Sequence, residues 1–155
     1  MTGRVDSRLA ELGLVLPTPA ASVANYLPYV ISGSLVFVSG QLPLVDGKVT
    51  VTGRLGADVS LEDGQKAARQ CAINLLAQAR AAAGGDLDRV IRLVRLGGFV
   101  ASTPDFTDQP KIVNGASDLM VEVLGDAGRH SRAAVGVASL PLNAAVEIEA
   151  VFELA

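Results

Sequence analysis

Charged residues are scarce in this 155-residue sequence, and two long runs contain none. Asp, Glu, Lys and Arg make up 19% of the chain, against about 25% in a typical globular protein. The first uncharged run extends from Leu12 to Val45 and the second from Ala133 to Val146. This composition excludes a disordered chain, which needs low hydrophobicity and high net charge. It also predicts that part of the apolar surface is covered by another subunit.

The sequence has one cysteine, one histidine and no tryptophan. A disulfide within the chain is therefore excluded, and one Cys with one His does not supply the usual zinc ligands. We expect no metal. Cys71 falls inside a helical pattern, where a thiol is usually a small buried apolar group, although a Cys71–His130 nucleophile pair is conceivable. His130 is predicted to lie in a loop before a strand. No P-loop, G-x-G-x-x-G or G-x-S-x-G motif is present.

The sequence does not predict a membrane segment, export or nucleic-acid binding. Prolines interrupt the first uncharged run, so it cannot form the ~20-residue apolar helix that spans a bilayer. Asp6 and Glu11 are acidic where a secretion signal would be basic, and we therefore expect a cytoplasmic protein. The net charge of −3 and the pI of about 5.1 disfavour a nucleic-acid partner.

Hydrophobic periodicity and turn residues predict one α+β domain over residues 1–155. The predicted elements are a helix from Ser7 to Leu12, strands Tyr29–Ile31 and Leu35–Ser39, an Asp46-Gly47 turn before a strand at Val49–Val51, a helix from Leu61 to about Ala83 capped by Ser60, a helical turn at Leu87–Val90, a strand Ile91–Ala101, a helix from Lys111 to about Leu124, and strands Arg132–Ser139 and Val146–Glu153. This order predicts one sheet with two helices on one face. Its other face, low in charge, should pack on another subunit.

Three stretches resemble one protein family. Residues 132–150 read R-x-x-V-x-V-x-x-L-P-x-x-x-x-V-E-I-E-A, which resembles the C-terminal signature of the reactive intermediate deaminase family, also called the YjgF family. Leu27-Pro28-Tyr29 is similar to the G-P-Y segment of that family, and Val38 to Pro43 is similar to its S-G-Q-[IL]-P strand. The resemblance covers nearly the whole chain from about Pro28.

The resemblance implies a homotrimer of the chorismate-mutase-like α+β fold, with ligand sites between subunits. Better-known members hydrolyse enamines or imines to 2-keto acids and ammonia without metal or cofactor. By this resemblance Arg132 holds the substrate carboxylate and Glu147 is associated with the attacking water. The further binding residues that it implies are Tyr29, Ser39, Gly40, Asn114 and the backbone at Ala134.

The chemistry of these residue types agrees, but each has a structural alternative. Arg132 either binds an anion with its planar fork or pairs with a carboxylate of the protein. Glu147 could orient water or belong to a solvent-facing strand half. Ser39-Gly40 could be a strand end with a bulge, Tyr29 a core residue and Asn114 a helix-surface residue.

Geometry adds a constraint on Arg132 and Glu147. In a simple hairpin of the last two strands, Glu147 would lie opposite about Ala138, about 20 Å from Arg132. Either these strands are not neighbours, or the two residues meet across subunits.

The sequence also departs from the family. Gly136 stands where deaminase members commonly carry a carboxylate, Ser117 replaces an aromatic residue, and residues 1 to about 24 form an N-terminal extension. Two functions are therefore carried forward. The first is a trimeric hydrolase of small 2-imino acids, and the second is a protein that binds a small carboxylate without turnover.

Overall fold

The computed structural model describes residues 3–19 and 25–155, so the predicted N-terminal extension falls partly outside the described residues. The elements in chain order are α1 (Arg4–Glu11), β1 (Tyr29–Ser32), β2 (Leu35–Gln41), β3 (Leu44–Val45), β4 (Lys48–Val49), α2 (Leu61–Ala82), β5 (Val90–Ala101), α3 (Gln109–Leu124), β6 (Ser131–Val137) and β7 (Val146–Leu154). Short 3₁₀ turns lie at Leu87–Arg89, Gly125–Gly128 and Pro141–Asn143. The predicted α+β architecture is confirmed.

The main sheet has the strand order β1-β2-β7-β5-β6. Strands β5 and β6 are parallel and joined through α3, whereas the other neighbours are antiparallel. Strand β6 therefore lies at an edge of the sheet. Because β5 separates β6 from β7, the last two strands are not neighbours, which is the first of the two options that the sequence left open.

Helices α2 and α3 pack together on one face of this sheet. Ser60 caps α2 as predicted, since its Oγ accepts a hydrogen bond of 3.1 Å from the Asp63 amide. The helices approach closely at Gly115, where an added Cβ would collide with the Gln65 carbonyl oxygen. Phe152, Ile148 and other buried side chains of β7 complete the core beneath the helices.

Helix α1 begins earlier than predicted. It starts at Arg4 rather than Ser7, and its N-cap residue, Gly3, has no side chain that could cap it. Asp88, distant in sequence, takes that role: its carboxylate accepts hydrogen bonds of 2.9 Å from the Arg4 and Val5 amides. These amide donors lower the pKa of Asp88. Local sequence does not reveal a cap supplied by a residue so far along the chain.

The second face of the sheet carries exposed apolar side chains. Val30, Phe37 and Val135 are each about half exposed, at 49%, 46% and 46%. Register pairs Val30 with Phe37, and both Val135 and Glu147 with Phe99, so these side chains share one face. We call it the outer face. Among the described residues, no helix is long and apolar enough to cross a membrane.

Candidate functional site

Arg132 anchors a hydrogen-bonded group of polar side chains at the β6 edge of the sheet. Its Nη1 donates to Asn114 Oδ1 at 2.8 Å and to Ser117 Oγ at 3.1 Å, and both partners lie on α3. Ser117 Oγ is also 2.9 Å from His130 Nε2, and His130 Nδ1 is 2.6 Å from the Gly128 carbonyl oxygen. We call Arg132, Asn114, Ser117 and His130 the arginine cluster.

The fold explains why these residues meet. Arg132 pairs in register with Leu96, a buried residue beneath the helices, so the arginine side chain leaves β6 on the helix side. Asn114 and Ser117 are three residues apart on α3 and therefore lie on the same face of that helix. The 3₁₀ turn at Gly125–Gly128 reverses the chain and brings His130 back against α3.

Arg132 is half-buried, and within the described residues no carboxylate lies within salt-bridge distance of it. Its known partners are neutral. A guanidinium that is partly removed from water gains most from a negative partner, and its planar fork matches a carboxylate. Of the two interpretations of Arg132, a structural ion pair is therefore disfavoured in this chain.

Glu147 lies on the outer face of β7, against Gly40 of the neighbouring strand β2. A Cβ added to Gly40 would lie 2.8 Å from Glu147 Oε2, so the carboxylate occupies the space that glycine leaves. The register shift between Val38 and Gln41 marks a bulge at this point. Burial raises the pKa of the half-buried Glu147, and the negative charge of Glu149 raises it further. We call Glu147, Gly40 and Ser39 the glutamate cluster.

The two clusters lie apart within one chain. Glu147 is level with Phe99 and Arg132 with Leu96, so they differ by three residues along the strands and by two strands across. Standard strand spacings give about 14 Å between their Cα atoms. They also point to opposite faces of the sheet. Glu147 and Arg132 of the same chain therefore cannot contact one small ligand.

The remaining predicted binding residues are Ser39, Tyr29 and the backbone at Ala134. Ser39 Oγ donates to the Leu27 carbonyl oxygen at 2.7 Å, which leaves this hydroxyl free only to accept from a ligand. Tyr29 is half-buried and packs against the core from the helix side. Ala134 is level with Gly98 and follows Arg132 by two residues on the same face of edge strand β6.

Sequence reasoning missed two members of the arginine cluster. The sequence marks Ser117 only as a departure from the family pattern. His130 lies in a loop before β6, as predicted, but its contact with Ser117 is not predicted. The signal that could have found Ser117 was its i, i+3 spacing from Asn114. No local sequence pattern predicts the position of His130, because that position depends on the preceding 3₁₀ turn, which only the three-dimensional structure shows.

Gly136, the other departure, is explained by its neighbours. A Cβ at this position would lie 2.6 Å from Ser102 Oγ and 2.7 Å from Gln109 Nε2. These two polar groups fill the space into which the side chain of residue 136 would project. A carboxylate at position 136 would need both of them to move.

Cys71 is fully buried in α2, and burial raises the pKa of its thiol well above the usual range. A thiol in this state is a poor nucleophile, which agrees with its predicted structural role. Among the described residues, no three His, Cys, Asp or Glu side chains are grouped so that they could hold a metal ion.

The fold and the arginine cluster define an α+β protein with a half-buried, carboxylate-free arginine at the edge of its sheet. The chain belongs to the family described as "YjgF/chorismate_mutase-like, putative endoribonuclease", whose model matches residues 6–154. The resemblance found in the sequence is thus confirmed.

Three proteins show how similar this chain is to known sequences and structures. Protein TCP17 of Trypanosoma cruzi is 52% identical over 154 residues, which cover 99% of this chain and 96% of that protein. The crystal structure of Atu1372 of Agrobacterium tumefaciens, of unknown function, is 53% identical with a TM-score of 0.92 and covers 97% of this chain and 92% of its own. E. coli TdcF, solved with bound serine, is 26% identical with a TM-score of 0.64 and covers 89% and 94% of the two chains.

Proposed function

We propose that this chain is a homotrimeric hydrolase that converts small 2-imino acids to 2-keto acids and ammonia. The observation that carries the proposal is the half-buried Arg132 guanidinium, which is held by neutral partners and has no carboxylate partner among the described residues. A 2-imino acid supplies the missing anion. The structure of TdcF with serine supports a small ligand of this class, since serine also carries a carboxylate beside a nitrogen-bearing carbon.

The trimer is part of the proposal because the arginine cluster and the glutamate cluster of one chain are too far apart to act on the same substrate molecule. Arg132 and Glu147 of one chain are about 14 Å apart and on opposite faces. In a ring of three chains, the arginine cluster at the edge of one sheet can face the glutamate cluster of the next. The exposed apolar residues of the outer face would be buried by the same contact.

The chemistry needs little beyond these two groups. Arg132 binds the substrate carboxylate and places the imine carbon. The protonated imine is already electrophilic, so a water molecule held by Glu147 adds to it. The water oxygen bonds to carbon as its proton passes to Glu147. That proton then passes to nitrogen. As the carbon–nitrogen bond breaks, the hydroxyl group gives its proton to Glu147, its oxygen forms the carbonyl of the keto acid, and ammonia leaves with the bonding electron pair.

The activity test generates 2-iminopropionate in situ with an amino acid oxidase acting on alanine. The imine that remains at each time is trapped with semicarbazide. The amount trapped reports the decay of the imine, which is compared with and without the protein. We expect faster decay with the wild type and loss of the acceleration in Arg132→Ala. Arg129→Ala is the matched control, because that side chain is largely exposed and pairs with the exposed Asp126 in solvent. Unchanged decay with wild-type protein, or equal acceleration by Arg132→Ala, would refute the proposal.

A second function, binding of a small carboxylate without turnover, is favoured by Gly136. Where deaminase members commonly carry a carboxylate, this chain has Ser102 and Gln109 filling the space. Calorimetry with keto acids and amino acids separates the two functions. Binding that depends on Arg132 in a protein that does not accelerate imine decay would establish this alternative. An RNA-cleaving activity, included in the family description, is disfavoured by the pI of about 5.1.

A further inference from the structure

The hydrogen bonds around His130 fix the position of its protons. The Gly128 carbonyl oxygen, 2.6 Å from Nδ1, can only accept, so Nδ1 carries a hydrogen and donates it. In the neutral ring Nε2 is then an acceptor. Ser117 Oγ, 2.9 Å away, must therefore donate its hydrogen to Nε2. The backbone of the turn before β6 thus selects one tautomer of His130.

The same reasoning fixes the Ser117 hydroxyl. Since its hydrogen is given to His130, the Ser117 oxygen presents lone pairs to its other neighbour, Arg132 Nη1 at 3.1 Å. The chain of donors runs in one direction, from Arg132 through Ser117 and His130 to the Gly128 carbonyl. Each group meets a partner of the right kind, so the cluster has one consistent arrangement of hydrogens.

Arg132 Nη1 has two hydrogens, and both are taken by Asn114 and Ser117. The guanidinium edge left for a ligand is the one formed by Nε and Nη2, whose two N–H groups are parallel and match a carboxylate. Removing either neutral partner would let the guanidinium turn about its long, flexible stem.

We infer that Ser117 and His130 are positioning residues, which hold Nη1 so that the Nε–Nη2 edge of Arg132 is presented to the substrate carboxylate. This inference rests on the proposed function, since it assigns these residues to the same site. It adds a role for two residues that contact the ligand only through Arg132. Pre-ordering the cation reduces the entropy that binding must overcome, so the effect belongs to substrate affinity rather than to the chemical step.

The proton arrangement can be measured without any activity. His130 is the one histidine in the sequence, so long-range nitrogen–proton NMR spectra report it without ambiguity. We expect the neutral ring to be in the Nδ1–H tautomer near pH 8. The Nε2–H tautomer in the wild-type protein would overturn the inference, because Nε2 could then no longer accept from Ser117.

The kinetic test compares Ser117→Ala, His130→Ala and His130→Gln with the wild type. We expect KM for 2-iminopropionate to rise about tenfold in the two alanine variants, the loss of one hydrogen bond to a charged group, while kcat changes less than threefold. His130→Gln should restore most of the affinity, because its amide oxygen can accept from Ser117. Ser7→Ala, an exposed change in α1, is the control. Unchanged KM in both alanine variants, or an equal loss in His130→Gln, would overturn the inference.

The same variants are titrated with pyruvate by calorimetry, which separates this inference from the proposed function. If wild-type protein does not hydrolyse the imine but binds pyruvate, and His130→Ala weakens that binding about tenfold, the hydrolase proposal fails and the positioning role holds. If hydrolysis is present but pyruvate affinity is equal in all variants, the positioning role fails alone. A wild-type protein that neither binds pyruvate nor hydrolyses the imine refutes both.

Discussion

Glu147 lies in surroundings that raise its proton affinity. Its neighbours in β7, Val146 and Ile148, are buried beneath the helices, so strand alternation puts the carboxylate on the outer face. There it lies against Gly40, which removes water from one side. A carboxylate that is partly desolvated is a better proton acceptor than one in solvent, and this suits the proposed role of Glu147 as the group that takes a proton from water.

The first prediction concerns the pH profile of the proposed reaction. Because the acceptor must be ionised, kcat/KM should fall as the pH drops through the raised pKa of Glu147. Glu147→Gln should remove this acid limb and most of the activity. In Glu149→Gln the limb should remain but move to lower pH, since the charge of Glu149 is the second cause of the raised pKa. Initial rates at constant ionic strength measure this, and a limb that moves upward in Glu149→Gln contradicts it.

A second prediction concerns stability. The folded pKa of Glu147 lies above its ordinary value of 4.5, so between these two pKa values the folded state binds more protons than the unfolded state. The contribution of Glu147 to folding therefore falls as the pH rises through this window. We expect Glu147→Gln to raise the melting temperature at pH 7 but to change it little at pH 4. Calorimetric scans test this, with Glu153→Gln as the control, and a lower melting temperature at pH 7 would contradict it.

Individual site residues were predictable from the sequence to different degrees. Arg132 and Glu147 stand at the two ends of the second uncharged run, so the pattern marked both. The sequence does not predict that Arg132 and Glu147 lie on opposite faces of the sheet, because the face of each residue depends on how its strand pairs with the neighbouring strands. His130 could not be assigned either, since the 3₁₀ turn before it decides its contact with Ser117.

At the scale of elements, hydrophobic periodicity predicted nearly every helix and strand but not how the strands pair. The long stripe of α2 and the Val- and Leu-rich strands are local signals. The order of the sheet is not local. Strand β5 enters between β6 and β7 because α3 returns the chain for a parallel pairing. The sequence does not predict the close contact of α2 with α3 either, since this contact depends on Gly115 facing the backbone oxygen of Gln65.

That contact gives the third prediction. In an isolated helix, Gly115→Ala would stabilise by about 1 kcal/mol. Here the new Cβ would collide with the Gln65 carbonyl oxygen, and the backbone cannot rotate away as a side chain can. We expect a net destabilisation of about 1–3 kcal/mol, measured by urea denaturation.

The matched control is Gly64→Ala at the same crossing of the two helices. Its Cβ would meet Ile112 Cδ1 at 2.7 Å, the movable end of a side chain. The loss of stability should therefore be smaller than in Gly115→Ala. A larger loss in Gly64→Ala, or a stabilised Gly115→Ala, would show that the helices do not meet as described.

At the scale of the whole molecule, the two uncharged runs of the sequence contribute exposed apolar residues to one face of the sheet. Val30 and Phe37 of the outer face lie in the first uncharged run, and Val135 lies in the second. Exposed side chains of this kind, gathered on one face of a sheet, are the surface that association of subunits would bury. Ser39 and Gly40 also lie in the first uncharged run. The residues proposed for association and those proposed for the site are therefore neighbours in sequence.

The last prediction tests association and activity together. Phe37→Glu places a charge on the outer face, and we expect light scattering to report the mass of one 15.9 kDa chain instead of three. The proposed imine hydrolase activity should be lost together with the proposed trimer, because Arg132 would then lack Glu147 of a neighbouring chain. Leu61→Glu is the matched control: Leu61 is exposed to a similar degree, 41%, but begins α2 on the other side of the molecule, where an added carboxylate suits the helix terminus. A Phe37→Glu protein that remains trimeric would place the subunit contact elsewhere, and a monomeric Phe37→Glu protein with full activity would show that one chain holds a complete site.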